Sequence, residues 1–284
     1  MTDSEIFIVG ANGQLGTALK QKFPSARSAD IDELYITNKA SVEKFDWSGI
    51  KVVINAAAYT NVDGAETTEG RIAAWDVNAT AVGNLLPLGW RNKIKLVHIS
   101  TDYVFDGSKN PHTEDEAFSP LSVYGASKAA GDLLVSQVSQ HYILRTSWVI
   151  GEGKNFVRSM LELGQKGVNP TVVSDQLGRL TFTSELVRGI DHLLTNDCEF
   201  GTYNLTNDGE VVSWADVASR VFELAGLGSK VTGISTEDYY KDKPEVARRP
   251  LNSAMALTKI KSVGFEPKNW QDDLADYVKK EMNR

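Results

Sequence analysis

Ile6-Phe7-Ile8-Val9 runs without a break into Gly10-Ala11-Asn12-Gly13-Gln14-Leu15-Gly16, and a helical pattern carrying Leu19 and Phe23 follows at once. A short apolar run rich in β-branched residues reads as a buried strand. Glycines at every third position let the chain turn sharply off that strand, bring the backbone close to a ligand and pack the helix on the strand. The free N–H groups of such a turn, with the positive end of the helix dipole, hold an anion, above all a pyrophosphate. A Gly-x-x-Gly-x-x-Gly alone is a weak sign and also serves as a tight structural turn. Placed between a strand and a helix near the amino terminus, it points to a sheet that binds a dinucleotide.

The alternation then repeats. Ser25 to Ala29 reads as a second buried strand ending at Asp30, where such folds put the group that meets the adenosine ribose. An acid there favours NAD over NADP, and Arg27 nearby leaves the choice open. Lys51-Val52-Val53-Ile54-Asn55 is the next strand, and the small side chains of Ala56, Ala57 and Ala58 leave room for the nicotinamide half of a cofactor. A helix from about Val62 to Gly89 follows, with Pro87 and Gly89 expected to end or kink it, since proline removes a helical donor and clashes with the preceding turn. Ile94 to Ile99 is another buried strand, delivering Ser100-Thr101-Asp102-Tyr103-Val104-Phe105-Asp106-Gly107 at its carboxyl end, where open parallel sheets bind ligands. Thr101 is thereby placed to hydrogen-bond a substrate oxygen. His98, inside the apolar run, reads as a packed core histidine that strand alternation turns away from the site.

Chemistry enters between Ser119 and Leu133. Ser119 is a reasonable helix cap and Pro120 suits a first turn, where its missing N–H costs nothing. On the helix that follows, Tyr124 and Lys128 share a face one turn apart. A phenol titrates near pH ~10, so acid or base work at neutrality asks for a shift of about 3 units, or about 4 kcal/mol. An ammonium one turn away supplies part of it. The same spacing also occurs where a tyrosine and a lysine merely pack at a surface.

With a formal net charge of −7 and a pI near 5.2, the chain is not a general binder of nucleic acid or membrane surface, although Arg248-Arg249 can still hold a phosphate. A planar guanidinium suits a diphosphate, and Pro250 would stiffen that loop. One cysteine, Cys198, excludes an intramolecular disulfide and a cysteine-based zinc cluster. No apolar run approaches the roughly 20 residues of a membrane span or resembles a signal peptide, so the expected compartment is the cytoplasm.

These segments, with Pro-Leu-Ser-Val-Tyr-Gly-Ala-Ser-Lys from Pro120, Leu-Arg-Thr-Ser-Trp-Val from Leu144, Asp-Gln-Leu-Gly-Arg from Asp175 and Arg-Arg-Pro-Leu-Asn-Ser from Arg248, resemble the extended short-chain dehydrogenase/reductases over nearly the whole chain. The resemblance implies an α/β protein, a Rossmann-type doubly wound parallel sheet with a smaller carboxyl-terminal α/β substrate domain. Residues 1–150 would form the NAD(P)-binding domain, with about 172–197 returning to it, and residues 151–284 the sugar-nucleotide domain. The implied activity is reduction of the 4-keto group of dTDP-4-dehydro-L-rhamnose to give dTDP-L-rhamnose, with NADP(H) expected first and NAD(H) second. The family's catalytic triad falls on Thr101, Tyr124 and Lys128. Its cofactor contacts fall on Gly13, Gln14, Leu15, Asp30, Ala57, Ala58, Thr60, Tyr124 and Lys128, and the rest of the glycine turn, Gly10, Asn12 and Gly16, with Tyr35 and Ile36, completes the candidate cofactor set. Its substrate contacts fall on Thr101, Asp102, Tyr103, Tyr124 and Trp148, to which Arg248 and Arg249 are added by their own chemistry as candidates for the diphosphate. Tyr35 stands where members usually carry an acid that meets the adenine, so that contact must differ, and a tyrosine can stack. Leu180 replaces a usual proline. Some members bind Mg²⁺ at a dimer interface through glutamates, and Ala18 occupies one such position, so neither that metal nor that dimer is expected. The partners implied are a nucleotide-sugar substrate and the preceding epimerase, separate or fused. Two other readings stay open: an epimerase or dehydratase of another sugar nucleotide, and a regulatory subunit like the β subunit of methionine adenosyltransferase. That relative binds NADP and lacks the Thr-Ser-Trp segment, so Trp148 favours an enzyme.

Past Gly151 the strict alternation stops. Asn155 to Leu161 suggests a helix beside the sugar pocket, Val172-Val173 a strand ending at the cleft, and Thr183 to Thr195 a helix on the sheet. Trp214 to Ala225 reads as an amphipathic helix facing a core, Asp238-Tyr239-Tyr240 as ordinary surface, and Trp270 to Met282 as a final capping helix.

Overall fold

In the computed structural model, which describes residues 1–241, 243 and 246–284, β1 (Ile6–Val9) is buried at every position. It lies between two parallel neighbours, β2 (Arg27–Ala29) and β3 (Val52–Asn55). β4 (Lys95–Thr101), β5 (His141–Thr146) and the strand Gly201–Asn204 continue the sheet on the β3 side, all parallel. The chain therefore steps outward from β1 in one direction to β2 and in the other to β3. That reversal opens a crevice at the carboxyl ends of β1 and β3. The glycine turn leaves β1 there, and Ala56 to Ala58 leave β3 beside it.

The sheet is covered on both faces. On one side α1 (Gln14–Lys22) and the helix Thr183–Thr195 bury Leu15, Leu19, Leu186 and Ile190 against Ile8 and Ile54. On the other, α2 (Lys39–Lys44), α4 (Ala81–Asn92) and α5 (Val123–Val135) bury Val42, Leu85, Leu86 and Val135, with α3 (Thr68–Trp75) leading into α4. Each such side chain contributes roughly 1.5–3 kcal/mol. A second core gathers Trp148, Val157, Leu161, Phe182, Val221 and Trp270 between the helices Phe156–Gln165, Trp214–Leu224 and Trp270–Met282. Around it, among the described residues, lie three short two-stranded ladders.

Several local expectations are corrected. β2 is not a buried strand: Arg27 and Ser28 are exposed, because it is the edge of the sheet and among the described residues pairs only with β1. The single helix expected from Val62 is a 3-10 turn at Gly64–Glu66, then α3, a π-helical turn at Asp76–Thr80, and α4. Pro87 sits inside α4 without ending it. An interior proline costs about 3 kcal/mol, and burial of Leu85, Leu86 and Leu88 outweighs that. α5 begins at Val123 with Ser122 as its cap, accepting from the Gly125 N–H at 3.1 Å, while Ser119 Oγ accepts from the Asp106 N–H instead. Within the stretch 172–197, the helix Thr183–Thr195 packs on the main sheet, but Thr171–Val173 pairs with Thr232–Ile234. The strand that joins the sheet is Gly201–Asn204, anchored by buried Tyr203.

Candidate active site

Gly10 takes a φ of +78°, and a β-carbon there would stand 2.6 Å from the Ala57 nitrogen. One on Gly16 would stand 2.1 Å from the Gly10 carbonyl. Only glycine lets the turn fold this tightly across the crevice. Gly13 then caps α1 without a side chain, and the N–H groups of Gln14 and Leu15 have no protein partner among the described residues. These open donors at a helix start fit a pyrophosphate. Asp30 is fixed by accepting from the Asn12 and Ile31 N–H groups, both at 2.8 Å. With Gly10, Tyr35, Ile36 and Ala57 it lines a 460 Å³ cavity sized for an adenosine. Tyr35 is 51 % exposed at its rim, free to stack on a base. Arg27 does not line this cavity: its guanidinium donates to the Asp46 and Ser48 carbonyls over the Phe7 and Phe45 rings. Among the described residues no lysine or arginine lines it.

A second cavity, of 620 Å³, runs on from Asn12, Gly13, Gln14, Leu15, Ala58 and Thr60 to Thr101, Asp102, Tyr103, Tyr124, Lys128 and Trp148. The two cavities share Gly13, Ala56 and Ala58, so an elongated ligand can span both. β4 supplies Thr101 at its last residue, and α5 supplies Tyr124 and Lys128. A β-carbon on Gly125 would meet the Tyr103 carbonyl at 2.2 Å, so this glycine lets α5 close on the β4 loop. Tyr103 and Tyr124 then meet edge to face, 5.7 Å apart.

The electrostatics differ from the simple tyrosine–lysine expectation. Burial holds the Tyr124 phenol above its usual range, with only the Thr101 hydroxyl pulling it down. Lys128, 1 % exposed, donates to the Ile99 carbonyl at 2.6 Å, and burial lowers it to about 8. The phenol is thus firmly protonated, as a proton donor must be. His98 lies behind the cleft, as expected, but is not surrounded by apolar groups alone. Its Nε2 is 3.5 Å from Lys128 Nζ and 3.9 Å from Asp132 Oδ1, and Asp132 accepts from Arg145 Nε at 3.0 Å. The buried Asp132–Arg145 pair behind Lys128 escaped the sequence reading, although Asp132 four residues after Lys128 on the same helix was its visible signal.

Asp102 is buried too, and burial pushes its carboxyl up to about 6, with the Ser253 and Thr101 hydroxyls opposing. A raised pKa means the folded state holds a proton that the unfolded chain releases near pH ~4, so stability falls as pH rises from about 4 to about 6. A shift of about 2 units corresponds to about 3 kcal/mol lost at neutrality. Asp102→Asn is therefore expected to raise the thermal midpoint at pH ~7 by several degrees and to have little effect at pH ~4, measured by calorimetry.

Trp148 adopts a left-handed φ of +48°, which a non-glycine residue holds only where the surroundings enforce it. Its indole, 9 % exposed, stacks on Trp214 at 3.8 Å, and both line the cleft. Trp214 belongs to the wall of the site, and the sequence pattern gave it no local sign. Neither arginine is among the residues that line this cleft. Arg248 lines a separate groove with Glu66, Thr67 and Glu69. Arg249 pairs with Asp63 at 2.9 Å and donates to Tyr240 Oη, so Tyr240 is more than surface.

Comparison with known proteins agrees with this geometry. The model of the RmlD substrate binding domain family matches residues 4–283. A dTDP-4-dehydrorhamnose reductase of Aggregatibacter actinomycetemcomitans is 38 % identical, over 94 % of this chain and 96 % of that one. A crystal structure of a dTDP-4-dehydrorhamnose reductase from Clostridium acetobutylicum superimposes with a TM-score of 0.91 at 36 % identity, covering 97 % of this chain and 99 % of the other. One from Bacillus anthracis, in complex with NADP, gives 0.88 at 33 % identity, covering 97 % and 98 %.

Proposed function

The chain belongs to the RmlD substrate binding domain family, and from that premise we propose that it is the reductase that converts dTDP-4-dehydro-L-rhamnose to dTDP-L-rhamnose with NADPH or NADH. The observation that carries the reading is one continuous cleft lined by the glycine turn, Thr101, Tyr124, Lys128 and Trp148. The bound cofactor supplies a hydride to C4 of the sugar. Tyr124 donates its phenolic proton to the oxygen that becomes the alkoxide, Thr101 orients that oxygen, and Lys128 holds the nicotinamide ribose and steadies the phenolate left behind. Open N–H groups at the start of α1 hold the pyrophosphate, and Asp30 meets the adenosine ribose. Asp102, Tyr103 and the Trp148 face hold the sugar. Arg249, once released from Asp63, reaches the diphosphate of the substrate. The enzyme works in the cytoplasm, supplied by the preceding epimerase as a separate or fused partner.

Trp148→Ala tests the sugar assignment. The indole is large and apolar, so its loss raises the Michaelis constant for the sugar roughly tenfold and lowers turnover by misplacing it, with reduced-cofactor affinity nearly intact. Equal loss of cofactor and sugar binding, or collapse of the thermal midpoint, would return Trp148 to a purely structural role.

A further inference from the structure

We propose that Asp102 works as a neutral carboxylic acid, donating its proton to Thr101 Oγ1 so that the Thr101 hydroxyl is free to donate to the sugar carbonyl. This rests on the reductase reading and deepens it. Thr101 has one hydrogen and two claimants. Its oxygen accepts from the Tyr103 N–H at 3.2 Å and lies 3.0 Å from Asp102 Oδ1. An ionised Asp102 can only accept, so it takes the Thr101 hydrogen and leaves a lone pair facing the cleft. A carbonyl oxygen has no hydrogen to offer that lone pair. A neutral Asp102 reverses the order: the acid donates to Thr101, and Thr101 donates to the carbonyl.

The surroundings favour the neutral form. Asp102 is 2 % exposed, its Oδ2 has no hydrogen-bond partner among the described residues, and the Thr101 and Ser253 hydroxyls beside the carboxyl, neutral donors, oppose the rise without cancelling it. Ionisation would leave a full charge, short of donors, out of water. The groups facing it are Thr101 and Tyr103 on its own turn, Tyr124 from α5, and His112 and Ser253 from the loops packed against it. Of these only His112 can carry a positive charge, and that ring stacks on Phe105 and hydrogen-bonds Glu116 instead. A bound sugar closes the cleft side of the carboxyl off from solvent and strengthens the preference. A carboxyl kept neutral by an apolar site so that it can donate is an established device of catalysis. Besides lining the sugar pocket, Asp102 thus acts on the carbonyl through Thr101, as a positioning residue.

The test is the pH dependence of sugar reduction, at saturating cofactor, for wild type and Asp102→Asn. Wild-type kcat/KM is expected to fall about tenfold per pH unit above about 6, and kcat to break at higher pH because the sugar is then bound. In Asp102→Asn the amide N–H replaces the acid O–H. Both breaks disappear, the alkaline fall from Lys128 remains near 8, and the variant outruns wild type just below that pH. Asp102→Leu, which has no donor, is slower than Asp102→Asn at every pH. A break kept in Asp102→Asn overturns the proposal, and so does a wild-type rate level up to the Lys128 fall, a result that needs no variant to fold. If wild type oxidises no cofactor with this sugar, the reductase reading fails and this inference falls with it. Cofactor oxidation without the Asp102 break sinks the inference alone.

Discussion

Tyr124→Phe is expected to lower turnover by about 100-fold or more while the thermal midpoint and both Michaelis constants stay close to wild type. The substitution removes one oxygen and keeps the ring that meets Tyr103 edge to face. Nothing in the core depends on that hydroxyl, which faces the Thr101 hydroxyl at the cleft. Its chemical contribution is larger. The buried phenol is held above its usual range, so at neutral pH it carries the proton that a reduced carbonyl must receive. Water can deliver that proton in the variant, but without orientation, and positioned acids contribute about 10²–10⁴ in rate. Steady-state rates with a melting curve decide the matter, and wild-type-like turnover would remove Tyr124 from the reaction.

Lys128→Met is expected to lower turnover by about 100-fold and to weaken cofactor binding about tenfold together. One buried ammonium is asked to do both jobs: steady the phenolate and hold the nicotinamide ribose. A hydrogen bond from a charged group contributes about 1.5–3 kcal/mol, and about 1.4 kcal/mol is tenfold in affinity. Methionine fills the same space without the charge, so the variant should fold, and Asp132 keeps its pairing with Arg145. Fluorescence quenching by the reduced cofactor measures the binding. Unchanged affinity with reduced turnover would mean that the ribose contact is wrong.

The strands and the turn that hold the cofactor were readable because each is encoded locally. β1 and β3 are buried at every position and β4 at most of them, so they appear as largely apolar runs, and the glycine turn is dictated by contacts within about ten residues or across one neighbouring strand. Tyr124 and Lys128 were readable because helical spacing alone places them together. The start of α5 was misjudged because Ser119 and Ser122 have the same capping chemistry, and a tertiary contact to Asp106 decides between them. Pro87 does not end α4 because packing of that helix overrides a local penalty. The Arg249–Asp63 pair joins residues far apart in sequence, and the Trp148–Trp214 stack joins a loop to a helix start. Neither leaves a trace in any window of the chain.

The most direct test of the central claim is to supply the purified protein with dTDP-4-dehydro-L-rhamnose and NADPH, and in parallel NADH, and to follow loss of reduced-nicotinamide absorbance against sugar product. The account predicts one reduced cofactor consumed for each dTDP-L-rhamnose formed, with at least one of the two cofactors. Failure to oxidise either cofactor, or conversion of the sugar with no net loss of reduced cofactor, would contradict it.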